Sequence, residues 1–378
     1  MTRIEPVSPD RMTAEQKAVA DDIIESRGSV RGPFPIMLHN PGLASASQRL
    51  GGYARFDSKI EPRLLEFAVA IVGRFWGAHV EWVSHSRLAR EAGIDGAVLK
   101  AVEDGRRPDF AHDDEAAIHD FLTALLNKTK IDDATYAKCL ETLGERGLID
   151  LMAMITHYTI VSMTLNTFRV AVPEDQTPPF GPGRAGGAAP VSGESRGAAR
   201  LGPLKREDMN DEQARAYDEV AAKGGRLGGP NGIFIRVPEL FALNQAVGNY
   251  LRAAHLGPRL RQLAMIVAVR RWNGAYAWGA QARDALKAGI SREVVDAVNE
   301  RRTPALIDAD DRAIHAAAVE LADTGSLTDA AYQAAQAQLG HNRLLDLVAT
   351  VGFYTGVCLT VNVFEVEPRP EFEIRLAP

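Results

Sequence analysis

Glu81 and His85 stand four residues apart in the segment WGAHVEWVSHSRLAREAGI, a spacing that puts a carboxylate and an imidazole on one face of a helix. Glu66 precedes Glu81 by 15 residues, and a bend near Gly73 or Gly77 would turn the chain back so that its carboxylate reaches the same place. A carboxylate beside an imidazole in a pocket supports proton transfer, because the acid fixes the ring's tautomer and raises its pKa while burial tunes the carboxylate. Two carboxylates sharing one site push their pKa values apart and so divide acid and base roles. Glu66, Glu81 and His85 therefore form a candidate catalytic set. His79 and His157 are candidates for binding a carboxylate or oxyanion, and Trp82 for lining the pocket. The plain alternative is that Glu81 and His85 form one more solvated helix pair.

An internal duplicate weighs between these readings. Within the 378 residues, a shift of 196 lays residues 62–94 on 258–290 without a gap, with 12 of 33 positions identical. The same shift lays 144–168 on 340–364 with 11 of 25 identical, and a shift of 197 matches Met12, Gln16, Pro41 and Tyr53 to Met209, Gln213, Pro238 and Tyr250. At matching positions the second copy has Gln262 for Glu66, Ala275 for His79, Ala277 for Glu81, Gln281 for His85 and Phe353 for His157. Pro62, Arg63, Leu64, Arg74, Trp76, Trp82, Arg87 and Gly93 all recur. A shared fold explains what both copies keep, and a single functional pocket explains what only one keeps. By the same comparison Arg63, Arg74 and Arg87 are structural.

Composition narrows the function classes. Forty-three Lys and Arg against 49 Asp and Glu give a net charge of −6, without the basic excess of a protein that tracks phosphate backbones, so no nucleic-acid partner is expected. Two cysteines, with no C-x-x-C pair, cannot make a disulfide framework, a zinc ribbon or a dithiol centre, which fits a reducing compartment. The polar start and the lack of an apolar run approaching 18 residues argue against a leader or a membrane partner, so a cytoplasmic protein is expected.

The elements that must position these residues read as helices. Thr13 with Gln16 and Asn210 with Gln213 have capping-box spacing, and Pro41 and Pro238 sit where a helix can start. Gly93 and Gly289 suit helix ends, each followed by a next N-cap at Asp95 or Ser291, and Asp113 and Asp133 open two further helices. LIDLMAMITHYTIVSMTLNTF is apolar nearly all round, as a core helix would be. No segment has a convincing strand period. The expectation is an all-α tandem of helical bundles, residues 1–176 and 204–378, joined by a Gly/Pro-rich linker at 177–203.

The stretch from Glu66 to Gly93, with its Glu, then W-G-A-x-x-E-W-x-x-H, then L-A-x-x-A-G, resembles the carboxymuconolactone decarboxylase-like family, which shares the all-helical alkylhydroperoxidase D-like fold. The resemblance covers both copies outside the linker. The peroxidase branch carries a C-x-x-C-x-x-x-H motif after its Glu; in that register Ala78 and Glu81 replace the two thiols and His85 keeps the histidine, so thiol peroxidase activity is not expected. Cys139 and Cys358 fall in unrelated registers and read as small core residues. The resemblance implies cofactor-free decarboxylation of a small carboxylated lactone or ring-cleavage product. His85 and Glu81 would deliver or relay the proton, and Glu66 would orient His85 or tune its charge. It also implies assembly into a homo-oligomer.

Hydration, elimination and isomerisation use the same proton-transfer parts. Two carboxylates and an imidazole suit a divalent ion, but the spacing matches no specific metal signature, so none is expected. A non-enzymatic binding protein is the remaining class, with Trp76, Trp82, Tyr276 and Trp278 lining an apolar pocket.

Overall fold

The computed structural model describes residues 2–173, 176–181, 199–222 and 227–378, and among them the chain forms sixteen α-helices and no strand. The first eight are α1 (Ala14–Arg27), α2 (Phe34–Met37), α3 (Pro41–Gly52), α4 (Pro62–Phe75), α5 (His79–Glu91), α6 (Gly96–Glu103), α7 (Asp113–Lys128) and α8 (Asp133–Thr167). Eight more follow: α9 (Asp211–Ala222), α10 (Pro230–Phe234), α11 (Pro238–Ala253), α12 (Gly257–Arg271), α13 (Ala275–Lys287), α14 (Arg292–Asn299), α15 (Ala309–Thr324) and α16 (Asp329–Val363). A π-helical turn, Tyr53–Asp57, extends α3.

Local chemistry sets many of these boundaries. Thr13 and Gln16 close a reciprocal capping box at 3.2 and 2.9 Å, and Asn210 with Gln213 does the same at 2.9 and 3.0 Å. Asp95 accepts from the Ala97 amide at 2.6 Å, and Ser291 accepts from the Val294 amide at 3.3 Å.

The longest helices, α8 and α16, form the centre. Each breaks at a glycine in the left-handed region, Gly144 at φ 68 and Gly340 at φ 72, a conformation that costs other residues more. Beyond the break both helices are apolar and pack on each other closely enough that a Cβ on Gly352 would lie 3.0 Å from the Ile160 Cα. By length and composition both would pass for membrane spans, yet their apolar windows are 100% and 94% buried within the bundle.

One apolar cluster runs through both sets of eight helices. Trp76 and Trp272 meet edge to face at 5.7 Å. Asn40 donates across the seam to Asp346 at 2.7 Å, and Arg3 reaches the Leu327 carbonyl at 2.9 Å and Asp329 at 2.7 Å. Two of the three recurring arginines anchor helices, whereas Arg87 is exposed and pairs with Glu91 on its own helix. Arg63 donates to Glu115 at 2.5 Å as Arg259 donates to Asp311 at 2.7 Å, and Arg74 Nε donates to the Glu103 carbonyl at 2.7 Å as Arg270 Nε donates to that of Asn299 at 2.5 Å.

The described ends of the expected linker pack on the bundle. Phe180 lies beneath the Arg74 guanidinium at 4.4 Å, and Arg200 bonds the Val363 and Ile131 carbonyls at 2.9 Å. The middle of that segment, 182–198, lies outside the described residues.

Candidate active site

Helices α4 and α5 form a hairpin that turns at Gly77, whose φ is 65. Gly73 lets the two helices close, since a Cβ there would lie 3.0 Å from the Glu81 Cβ. The turn carries Glu66 on α4 to Glu81 and His85 on α5. His85 Nδ1 lies 2.5 Å from Glu66 Oε2, and His85 Nε2 lies 3.2 Å from Glu81 Oε2. The imidazole thus stands between two carboxylates, one at each ring nitrogen, and all three side chains are largely buried. The carboxylates approach from opposite sides and share no common point at which one ion would meet all three. Among the described residues no cluster of His, Cys, Asp or Glu has the arrangement of a metal site.

His85 and Glu81 open onto a cleft of about 900 Å³, while Glu66 stands behind the ring. Burial alone would strip His85 of its proton, but the hydrogen bonds and charge of Glu66 and Glu81 outweigh it and hold the ring up at about 9. His85 is therefore an imidazolium at neutral pH, a proton donor clamped between its conjugate acceptors. Tyr158, from α8, meets His85 edge to face at 5.1 Å. Its hydroxyl is held protonated by burial and by the Glu81 charge.

His157, also on α8, lies at the cleft floor and is 2% exposed. Burial first, then the charges of Arg27, Arg55 and His85, push its pKa well below the usual histidine value, so the ring is neutral. Its Nδ1 has no hydrogen-bond partner among the described residues. The floor depends on Gly51 of α3, where any Cβ would overlap His157 Nε2 and the Arg27 guanidinium. Trp82 lines the wall and donates to Glu103 at 3.3 Å.

Of the six residues singled out from the sequence, Glu66, Glu81 and His85 meet, and His157 and Trp82 face the same cleft. His79 does not. It occupies the first position of α5, about 200° around the helix from Glu81, and stacks on Phe180 at 4.6 Å beside Arg74. Burial and the Arg74 charge lower its pKa.

Sequence reasoning missed Arg27 and Arg55, which help make the cleft cationic: Arg27, Arg31, Arg55, Arg87 and Arg90 line it against Glu81 and Glu103. Arg27 was detectable, because the 197 shift sets it against a glycine. Arg55 recurs as Arg252, so the duplicate hid it.

The corresponding place in the second set of helices is a separate cleft of about 430 Å³, faced by Tyr276 and Gln281, with no carboxylate among its described residues. Tyr276 and Gln281 therefore do not wall the first cleft. Both cysteines are buried, and burial pushes the Cys139 thiol up to about 12, far from a reactive thiolate. A scan of protein-family models matches none of them to this chain, and a search of curated proteins finds no match.

Proposed function

We propose that this chain is a cofactor-independent acid/base enzyme of the carboxymuconolactone decarboxylase-like kind, a carboxy-lyase acting on a small carboxylated lactone or related ring-cleavage product. The observation that carries the reading is the imidazolium of His85 held between Glu66 and Glu81 at the edge of a cationic cleft.

In the reaction, the bond from ring carbon to carboxylate breaks, carbon dioxide leaves, and the electron pair moves into the conjugated carbonyl as an enolate. A proton then adds to carbon. His85 Nε2 gives up that proton, relayed through the Glu81 carboxylate, and regains one from water, while Glu66 keeps Nδ1 bonded and fixes the ring. Arg27 and Arg55 supply positive charge for the substrate carboxylate and the developing enolate oxygen, where a buried setting strengthens the attraction. The chain would not be a thiol peroxidase, since neither cysteine is near this cleft.

The rest of the reading is architectural. The sixteen helices represent two copies of one unit, the second having given up its ionisable groups, and the fused pair is a protomer of a homo-oligomer in the cytoplasm.

The test is to incubate the full chain with unsaturated carboxylated γ-lactones in D2O. The expected result is one carbon dioxide released and one deuteron fixed per turnover. Deuterium exchange or isomerised product without carbon dioxide would replace decarboxylation with isomerisation. Saturable binding with no chemistry across the panel would make the cleft a binding site only.

A further inference from the structure

A second, smaller cavity lies on the far side of α12. It measures about 120 Å³, and Arg270, Arg271, Arg301, Arg302, Thr303 and His315 surround it over a floor of three valines. We infer that it is an oxyanion site sized for a single phosphoryl group, independent of the acid/base cleft.

Charge balance is the first reason. Arg271 pairs with Asp323, and Arg302 pairs with Glu300 at 2.6 Å. Arg301, beside Arg270, has no carboxylate within ion-pairing distance among the described residues. The two share one neutral acceptor, the Asn273 side-chain oxygen, at 2.7 and 2.8 Å. Arg270 otherwise bonds the Asn299 carbonyl at 2.5 Å and the α-carboxyl oxygen of Pro378 at 3.1 Å. Burial, followed by the charges of Arg301 and Arg271, lowers Arg270 to about 10.

The duplicate supplies the second reason. Where the C-terminal half has Arg271 and Arg301, the N-terminal half has Phe75 and Gly105. Gly105 sits at φ 71, the left-handed region that glycine tolerates, and Arg301 adopts the same turn at φ 57 despite its side chain. Strain accepted at a position where glycine would serve points to the guanidinium as the thing retained.

Guanidinium forks match the oxygens of a phosphoryl group bidentately, and several forks around one cavity suit a tetrahedral ion better than a planar carboxylate. Arg302 and Thr303 are exposed at the mouth, so an ester substituent would project into solvent.

Calorimetric titration of the full-length protein with inorganic phosphate, at ionic strength matched with chloride, tests this. Arg301→Gly installs the residue of the other half in a turn that favours it, so it should melt at or above the parent temperature. Saturable phosphate binding that weakens at least tenfold in Arg301→Gly, and again in Arg271→Phe, is the expected result. Glycerol phosphate binding as well as inorganic phosphate identifies a phosphomonoester head group; binding of the inorganic ion alone identifies the free ion. Either supports the site. Unchanged affinity in Arg301→Gly, or no heat beyond the chloride control, overturns it.

Discussion

The Gln262 side-chain amide donates to Gln281 Oε1 at 2.6 Å, bridging α12 to α13 as Glu66 and His85 bridge α4 to α5. The same helix pair is thus held by a neutral amide pair in one half and by an acid and an imidazolium in the other. The bridge needs hydrogen-bonding length at both positions, and only the chemistry of proton transfer needs ionisable groups.

The double variant Glu66→Gln with His85→Gln should therefore keep its fold. Its melting temperature is expected within a few degrees of the parent, while turnover falls by about 100-fold or more, the usual scale for losing a general acid. Glu81→Gln should lose turnover to a similar extent, and Gln281→Ala should barely change it. Steady-state assays with melting curves decide the matter, and equal losses from Gln281→Ala and His85→Ala would contradict the asymmetry.

pH dependence follows from His85. Its pKa is raised to about 9 from an ordinary value of 6.5, so the clamp's contribution to stability is complete below pH 6.5 and is lost as pH rises through about 9. Activity that needs the imidazolium should fall over the same upper limb. Removing one clamp in Glu66→Gln is expected to move that limb to lower pH, as read from rate profiles and from denaturant midpoints at pH 6, 8 and 10.

Adjacent glycines on α3 should respond oppositely to alanine. A Cβ on Gly51 overlaps His157 and Arg27, so Gly51→Ala should destabilise by roughly 1–3 kcal/mol and disturb the cleft floor. Gly52 has open space around it and an ordinary helical φ of −61, so Gly52→Ala should stabilise by about 0.5–1 kcal/mol. Paired denaturant titrations read both.

Asp150 is fully buried and accepts from the Tyr53 hydroxyl at 2.7 Å and the Lys59 amide at 2.8 Å, with Arg146 Nε at 3.3 Å. Asp150→Ala orphans these donors and should cost on the order of 3 kcal/mol. Its counterpart Asp346 takes an added bond across the seam from Asn40, and Asn40→Ala should cost about 1 kcal/mol in chemical denaturation.

How far each site residue could be read from sequence depended on whether its partner was near in the chain. Glu81 and His85 lie on one helix, so their spacing alone fixes their proximity. Glu66 needed only a turn, which two glycines advertised. Arg27 and Arg55 come from two separate elements and no periodicity relates them, while His157 stood out only by its contrast with Phe353 in the aligned segment. His79 was misplaced because its type suggested chemistry while the helix's rotation points it at Phe180.

The sequence by itself determined the all-helical class, the two capping boxes and the contrast in ionisable groups between the aligned segments, because those depend on neighbours within a turn or on comparing aligned residues. Tertiary structure alone decided that the cleft is cationic, that His157 is neutral, that Gly51 must be bare, and that Arg301 crowds Arg270. These follow from burial and from charges brought together across the fold, and both arise only when distant helices pack.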